Sequence, residues 1–209
     1  MAQPQRITLA TPRGPVELNT YVAAEQVEGL ELDPGIGTFA SYRSILTSKE
    51  SLMHQTFFPG ANLCLALDEG RRIVGYCVRR PPLAGDRWAS MQPPILYEVF
   101  GENARGWRGC GLMKPMLNLV VSEPANEDRI LFIVGYSWHW DLDETKKTLQ
   151  QYRDTIIHLL TPLGFRQYPT NEPNVSLRPE NLFMARLGER VEKPIRRRFT
   201  NLLFGIGED

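Results

Sequence analysis

The chain has 209 residues, of which 42% are hydrophobic and 23% are charged, and such a chain buries a sizeable core without disulfides or metals. Its 24 Lys and Arg residues balance 24 Asp and Glu residues, so the formal net charge of zero argues against nucleic acid or an anionic membrane as a partner. Three scattered cysteines, no apolar N-terminal leader and no run approaching ~18 apolar residues together predict a cytoplasmic protein without disulfides or a membrane span.

The first half of the chain predicts strands on both sides of a mixed region. Residues 6–21 predict strands around a turn at 12–15, and residues 62–68 and 72–80 predict the two strands of a β-hairpin. In the mixed region, residues 22–55, the apolar residues Phe39, Tyr42, Ile45 and Leu46 have the spacing of a helix. A Pro-Gly-rich break at 34–37 interrupts this region.

The second half predicts strands that alternate with helices. Strands are expected at 95–100, 129–136 and 182–187, and helices at 112–122 and 143–160. A proline-rich loop precedes the first of these strands, and a Gly-rich turn, 101–111, follows it. This order predicts an α/β fold with one central mixed sheet.

One short run carries the chemistry. Residues 107–112 have the sequence Trp-Arg-Gly-Cys-Gly-Leu and stand between a predicted strand and a predicted helix. The first N–H groups of a helix lack internal acceptors, and glycines let an anion approach the backbone, so this run predicts a diphosphate site. It lacks the Gly-Lys-Ser/Thr of a Walker loop, and Lys114 stands where a dinucleotide loop has its third glycine.

The run resembles the Q/R-x-x-G-x-G/A loop of the GCN5-related N-acetyltransferases (GNATs). It fits at Arg108 and Gly111 and departs at Met113, where Gly or Ala is usual. The Val-Gly-Tyr at 74–76 and the Leu-Gly-Phe at 163–165 match further family positions. The resemblance implies a mostly antiparallel sheet, splayed between the strands at 95–100 and 129–136, with helices on both faces.

The resemblance also implies boundaries for the domain. A single acetyltransferase domain is expected at 1–188, with an N-terminal extension over about 1–61 and a basic C-terminal tail at 189–209. Within the family, the Trp-His-Trp-Asp run at 138–141 and the Asn-Glu-Pro at 171–173 are similar to the acetoin-utilisation acetyltransferases. That group implies acetyl-CoA as substrate and, as acceptor, a lysine of a protein such as acetyl-CoA synthetase, an acyl-CoA synthetase.

Two other functions stay open from the sequence. One is a small-molecule amine acetyltransferase, and the other is a catalytically weak CoA-binding regulatory protein, which Met113 favours. The oligomeric state is open between monomer and homodimer. Three scattered histidines predict no metal site.

The resemblance assigns residues to acetyl-CoA and to the reaction. The residues expected to bind acetyl-CoA are Phe100, Asn103, Arg108, Gly109, Cys110, Gly111, Leu112 and Met113. A substrate amine must lose a proton before it attacks a thioester, and Glu98 and Glu102 are the candidate bases. Leu160 stands where many family members have a tyrosine that protonates the leaving thiolate, so Tyr136 is the candidate donor.

Other polar residues have an ordinary structural interpretation beside a functional one. His139 lies between two tryptophans, and it is either a base or part of a structural corner. Tyr152 is either a second proton donor or a core residue. Cys110 has no adjacent base and is expected to be a filler residue. The basic residues of 186–198 predict a phosphate or protein contact, or a solvated tail.

Overall fold

The computed structural model describes residues 3–38 and 46–206, which contain nine strands and seven helices. The strands are β1 (Arg6–Thr11), β2 (Gly14–Asn19), β3 (Glu31–Leu32), β4 (Asn62–Leu67), β5 (Arg72–Arg80), β6 (Leu96–Asn103), β7 (Ile130–Gly135), β8 (Arg166–Gln167) and β9 (Leu182–Leu187). The helices are α1 (Ala24–Glu28), α2 (Lys49–Gln55), α3 (Met113–Val121), α4 (Leu142–Thr145), α5 (Leu149–Leu160), α6 (Pro173–Ser176) and α7 (Lys193–Leu203).

The chain forms two compact units. The first comprises Met1–Arg80 and Val99–Glu123, and the second comprises Pro81–Glu98 and Pro124–Asp209. Strand β6 contributes to both, because its first three residues belong to the second unit and its remainder belongs to the first. Of the predicted helical residues in the mixed region, Phe39, Tyr42 and Ile45 lie outside the described residues.

In the first unit, antiparallel ladders join β1 to β2, β2 to β4, and β4 to β5. The predicted hairpin is therefore confirmed, with Leu63 paired to Val78 and Leu65 to Tyr76. Every residue of β4 is buried, because helix α3 packs on β4 and β5. The short strand β3 is parallel to β5, and residues 33–37 turn away from its end.

In the second unit, β7 pairs antiparallel with β9, and β9 pairs antiparallel with β8. The parallel ladder between β6 and β7 is short, running from Leu96↔Ile130 to Glu98↔Phe132. The pairing of the two strands therefore covers only three residue pairs, as the predicted splay of the sheet implies. The core is aromatic: Trp88, Phe132 and Phe183 lie against one another with ring centroids 4.6–5.5 Å apart.

The predicted elements differ from the structure in three ways. Strand β6 runs to Asn103, past the predicted end at residue 100, because Gly101 lets it lie close to Tyr76 and Cys77 of β5. The predicted helix at 143–160 is two helices, since Lys146 takes a left-handed conformation and Thr148 caps a new helix. Short elements β3, β8 and α6 were not predicted.

The C-terminal segment is more ordered than the word tail suggests. Residues 193–203 form α7, whose Phe199 and Leu203 are buried in the core of the second unit. Its arginines include Arg196, which donates hydrogen bonds to the backbone oxygens of Val191 and Gly188. The boundary of the acetyltransferase domain at 188 stays a prediction.

A buried ion pair ends helix α3 in the first unit. The guanidinium of Arg79 on β5 lies 2.6 Å from the carboxylate of Glu123, and both side chains are almost fully buried. Asn62 and Tyr21 donate hydrogen bonds to the same carboxylate at 2.5 and 2.6 Å. A cation at a helix C-terminus is favourable, and Arg79 also donates to the Val120 carbonyl there.

Candidate active site

The Gly-rich run belongs to a loop of the first unit, residues 104–112, which we call the glycine loop. Gly109 and Gly111 both have left-handed backbones, with φ of 75° and 79°. A Cβ at either position would meet no described atom within 4 Å, so the glycines serve conformation and leave open space beside the loop. At these two positions no side chain stands between the loop backbone and an approaching anion.

Helix α3 begins where the loop ends. Leu112 is its N-cap and makes no side-chain hydrogen bond, and Met113 is its first residue. The N–H groups of the first turn have no acceptor within the helix. They lie at the N-terminus, which is the positive end of the helix dipole and favours a negative charge. Pro115 falls in this turn, where its missing N–H removes no helical hydrogen bond.

Side chains of the first unit hold the glycine loop in place. Trp107 is buried, with the guanidinium of Arg13 5.2 Å from its ring centre. Arg108 lies 3.8 Å from the carboxylate of Glu102, and Glu102 is itself only 8% exposed. Glu102 also accepts a hydrogen bond from the backbone N–H of Gly37 at 2.9 Å and one from Tyr76 at 3.4 Å.

Strand β6 supplies the two other residues expected to bind acetyl-CoA. Phe100 is partly buried, and the guanidinium of Arg80 lies 5.3 Å from its ring centre. The Oδ1 atom of Asn103 is buried without a hydrogen-bond partner among the described residues, and it faces Gly75, where a Cβ would come within 2.7 Å. Cys110 is partly exposed in the loop and is a free thiol.

The second unit holds the other two candidate catalytic residues. Tyr136 follows β7 and stacks on Trp138 with ring centres 4.8 Å apart, and His139 packs edge-on against both rings. Burial, and then the negative charges of Glu172, Glu98 and Asp86, raise the pKa of the Tyr136 hydroxyl to about 12. A tyrosine hydroxyl is protonated at neutral pH in any case, and the raised pKa makes this one a weaker acid than an ordinary tyrosine.

The Trp-His-Trp run forms an ordered corner. Trp140 stacks on Tyr152 with ring centres 5.1 Å apart, and Tyr152 is half-buried in the second unit. Asp141 is fully buried and caps α4 by accepting from the Glu144 N–H. Burial lowers the pKa of His139, which keeps the imidazole neutral at neutral pH.

The sequence did not assign a role to several residues of this corner. Glu172 caps α6 and contributes to the field at Tyr136, and Asn174 makes a hydrogen bond that lowers the pKa of the tyrosine. The guanidinium of Arg178 lies 5.8 Å from the ring centre of Trp138. The Asn-Glu-Pro run at 171–173 was the sequence feature that could have pointed to Glu172. Only the folded chain shows that Glu172 acts on Tyr136.

Within residues 3–38 and 46–206, no three His, Cys, Asp or Glu side chains are grouped to hold a metal ion. No helix in the same residues is long and apolar enough to cross a membrane.

Known proteins resemble the chain over nearly its whole length, although no protein-family model matches it. It is 29% identical over 197 residues to the acetoin utilization protein AcuA of Bacillus subtilis (strain 168), covering 94% of this chain and 92% of that protein. The crystal structure of an acetoin utilization protein from Exiguobacterium sibiricum 255-15 matches with a TM-score of 0.87, at 27% identity over 98% of this chain and 96% of that one. The GNAT domain of S. lividans PAT shares the fold alone, with a TM-score of 0.53 at 11% identity over 86% of this chain and 95% of that one.

The mixed, mostly antiparallel sheet and these structural neighbours define the fold: the chain has the fold of the GCN5-related N-acetyltransferases, as the resemblance at 108–113 predicted. Within that fold, its sequence is similar over nearly its whole length to the acetoin utilization protein AcuA.

Proposed function

We propose that this protein transfers the acetyl group of acetyl-CoA to a lysine side chain of another protein, an acyl-CoA synthetase. The glycine loop at the start of α3 is the observation that carries the proposal. Its two left-handed glycines and the helix N-terminus supply N–H donors and open space, which are what a diphosphate needs. Arg108 adds a forked cation beside them.

The residues of the loop and β6 fit coenzyme A by their chemistry. Backbone groups of Gly109, Gly111, Leu112 and Met113 would hold the diphosphate. The buried Oδ1 of Asn103 is an acceptor that lacks a donor among the described residues, and an amide N–H of the pantetheine arm is such a donor. Phe100 and Cys110 would contact the arm and the diphosphate through their exposed parts.

The reaction needs one base and one proton donor. As substrate, acetyl-CoA supplies a thioester, whose C–S bond breaks as the amine nitrogen forms the new C–N bond. Glu98 is partly exposed and would accept the proton of the ammonium group. Tyr136 would donate its proton to the departing sulfur, and the second proton that the nitrogen loses as the amide forms would restore the tyrosine.

Glu102 is the weaker candidate for the base. Its carboxylate is almost fully buried and already faces the Gly37 N–H, the Tyr76 hydroxyl and the Arg108 guanidinium. A base must have an oxygen free to reach the substrate amine. These contacts favour a different task for Glu102, and we assign proton transfer to Glu98 because its side chain is more exposed.

The acceptor rests on the similarity to the acetoin-utilisation group, and it can be tested directly. Purified protein is titrated with acetyl-CoA by calorimetry, and then incubated with acetyl-CoA and a purified acyl-CoA synthetase. Mass spectrometry is expected to find an acetylated lysine on the synthetase, and far less of it over the same time when Glu98→Gln replaces the wild-type protein.

The outcomes separate the three functions. No heat of binding at millimolar acetyl-CoA would contradict a coenzyme A function altogether. Binding with an unmodified synthetase, but turnover of a small amine, would identify a small-molecule acetyltransferase. Binding without acetylation of either kind of acceptor would favour a CoA-binding regulatory protein.

A further inference from the structure

The turn at residues 33–37 lies against the start of the glycine loop. Its own shape is set by Asp33, whose carboxylate accepts from the Gly35 N–H at 2.8 Å and whose carbonyl accepts from the Ile36 N–H at 3.0 Å. The carbonyl of Gly35 accepts a hydrogen bond from the Arg105 N–H at 3.1 Å. This bond joins the turn to the backbone of the glycine loop.

Only glycine fits at position 35. A Cβ there would come within 2.9 Å of the Arg105 backbone nitrogen and within 3.4 Å of the Ala104 Cβ. Neither atom belongs to a flexible side-chain end, so the loop backbone itself would have to move. Close approach to the loop therefore explains this glycine without any special backbone angle.

Glu102 makes the second connection between the turn and the loop. One carboxylate oxygen accepts from the Gly37 N–H at 2.9 Å, and the same oxygen lies 3.8 Å from the Arg108 guanidinium. The other oxygen faces the Tyr76 hydroxyl at 3.4 Å, which fixes the carboxylate against β5. A buried carboxylate held on two sides gives the arginine beside it a defined electrostatic anchor.

We propose that the 33–37 turn is a positioning element of the acetyl-CoA site. It sets the backbone of the glycine loop through Gly35 and Arg105, and it orients Arg108 through Glu102. Glu102 is thus a positioning residue, not the base. The inference rests on the proposed function, because it assumes that the glycine loop binds the diphosphate of acetyl-CoA.

Two effects of Glu102 oppose each other. Its negative charge repels a diphosphate, whereas its contact with Arg108 holds the guanidinium in the geometry that a forked phosphate contact needs. If orientation is the larger effect, removing the charge weakens acetyl-CoA binding despite the lost repulsion. The sign of the Glu102→Gln effect therefore decides the matter.

The test compares Gly35→Ala with Gly29→Ala, a matched control at a position where a Cβ meets nothing within 4 Å. Gly35→Ala is expected to raise the KM and Kd for acetyl-CoA about tenfold, with a much smaller change in kcat at saturation. Gly29→Ala is expected to match the wild type. Binding by Gly35→Ala within about twofold of the wild type would overturn the proposal.

Glu102→Gln keeps an acceptor for the Gly37 N–H and removes only the charge, so it keeps the test decisive if Gly35→Ala fails to fold. We expect about threefold weaker acetyl-CoA binding and a pH profile of kcat with the wild-type midpoint. In an Arg108→Ala background the same substitution should no longer weaken binding, because only the lost repulsion remains there. Tighter binding by Glu102→Gln alone, a weakening of binding that persists without Arg108, or a shifted pH profile of kcat would each refute the inference. A wild-type protein that binds no acetyl-CoA would instead refute the proposed function.

Discussion

Glu98 and Glu102 stand four residues apart on one strand, and their surroundings give them different chemistry. Glu102 is enclosed by a backbone N–H, a hydroxyl and a guanidinium of the first unit. Glu98 is partly exposed in the second unit, where its charge contributes to the raised pKa of Tyr136. Sequence alone left both glutamates as candidate bases, because neighbouring positions of a strand say nothing about what the folded chain brings to them.

Glu98→Gln is predicted to remove the base and keep the shape of the side chain. We expect kcat to fall by about 10²–10⁴-fold, the usual contribution of general base catalysis, while the Kd for acetyl-CoA stays at its wild-type value. Steady-state kinetics and calorimetry measure the two quantities. The matched control is Glu144→Gln, an exposed glutamate of the same unit. A wild-type kcat in Glu98→Gln would exclude Glu98 as the base.

Burial of His139 is expected to make the free energy of unfolding depend on pH. Burial lowers the pKa of its imidazole below the ordinary 6.5, so the folded chain disfavours the charged form. The stability that the neutral ring contributes is present above that value and is lost as the pH falls through the lowered pKa. The wild type should therefore lose more stability than His139→Asn between about pH 7 and pH 5, measured by urea unfolding. His158→Asn, at an exposed helix position, serves as the control, and equal losses in wild type and His139→Asn would contradict the assignment.

At the scale of elements, the glycine loop and α3 act together. The loop needs left-handed backbone at two positions, and the helix needs an open N-terminus immediately after them. The sequence indicated both features, since two glycines before an amphipathic segment are a local pattern. The extension of β6 to Asn103 was not predicted, because it depends on how closely Gly101 approaches β5.

Gly111→Ala is predicted to weaken acetyl-CoA binding. A side chain in left-handed backbone costs about 1–2 kcal/mol, which corresponds to about 5–30-fold in Kd if the loop leaves its native shape. Calorimetric titration measures the change. Gly85→Ala is the control, because Gly85 has φ of 94° and open space but lies outside the glycine loop. The control should lose stability and keep its affinity; equal affinities in both variants would show that the loop does not bind the cofactor.

The stability of the whole molecule depends on the buried pair of Arg79 and Glu123. Both side chains are almost fully buried, with Asn62 and Tyr21 completing the hydrogen bonds of the carboxylate. No local pattern predicted this pair, because its partners are 44 residues apart in the chain. Substitution of only one partner of the pair leaves the charge of the other uncompensated in the core.

Glu123→Gln is therefore predicted to lower the free energy of unfolding by about 3 kcal/mol, whereas Arg79→Met with Glu123→Leu recovers much of that loss. Urea unfolding of the single and double variants measures both values. Asp128→Asn, which breaks the exposed contact with Arg190, should change stability little. A single variant as stable as the wild type would contradict the role assigned to the pair.

The sequence by itself determined the order of the longer strands and helices, the hairpin at β4 and β5, the glycine loop before α3 and the fold class. These follow from patterns that are local in the chain: alternation, helical spacing and glycines at a helix start. Only the tertiary structure decided which groups surround each glutamate, why Gly35 must be glycine and what raises the pKa of Tyr136. Those properties arise from side chains distant in sequence that become close neighbours, and their burial and charge exist only in the folded chain.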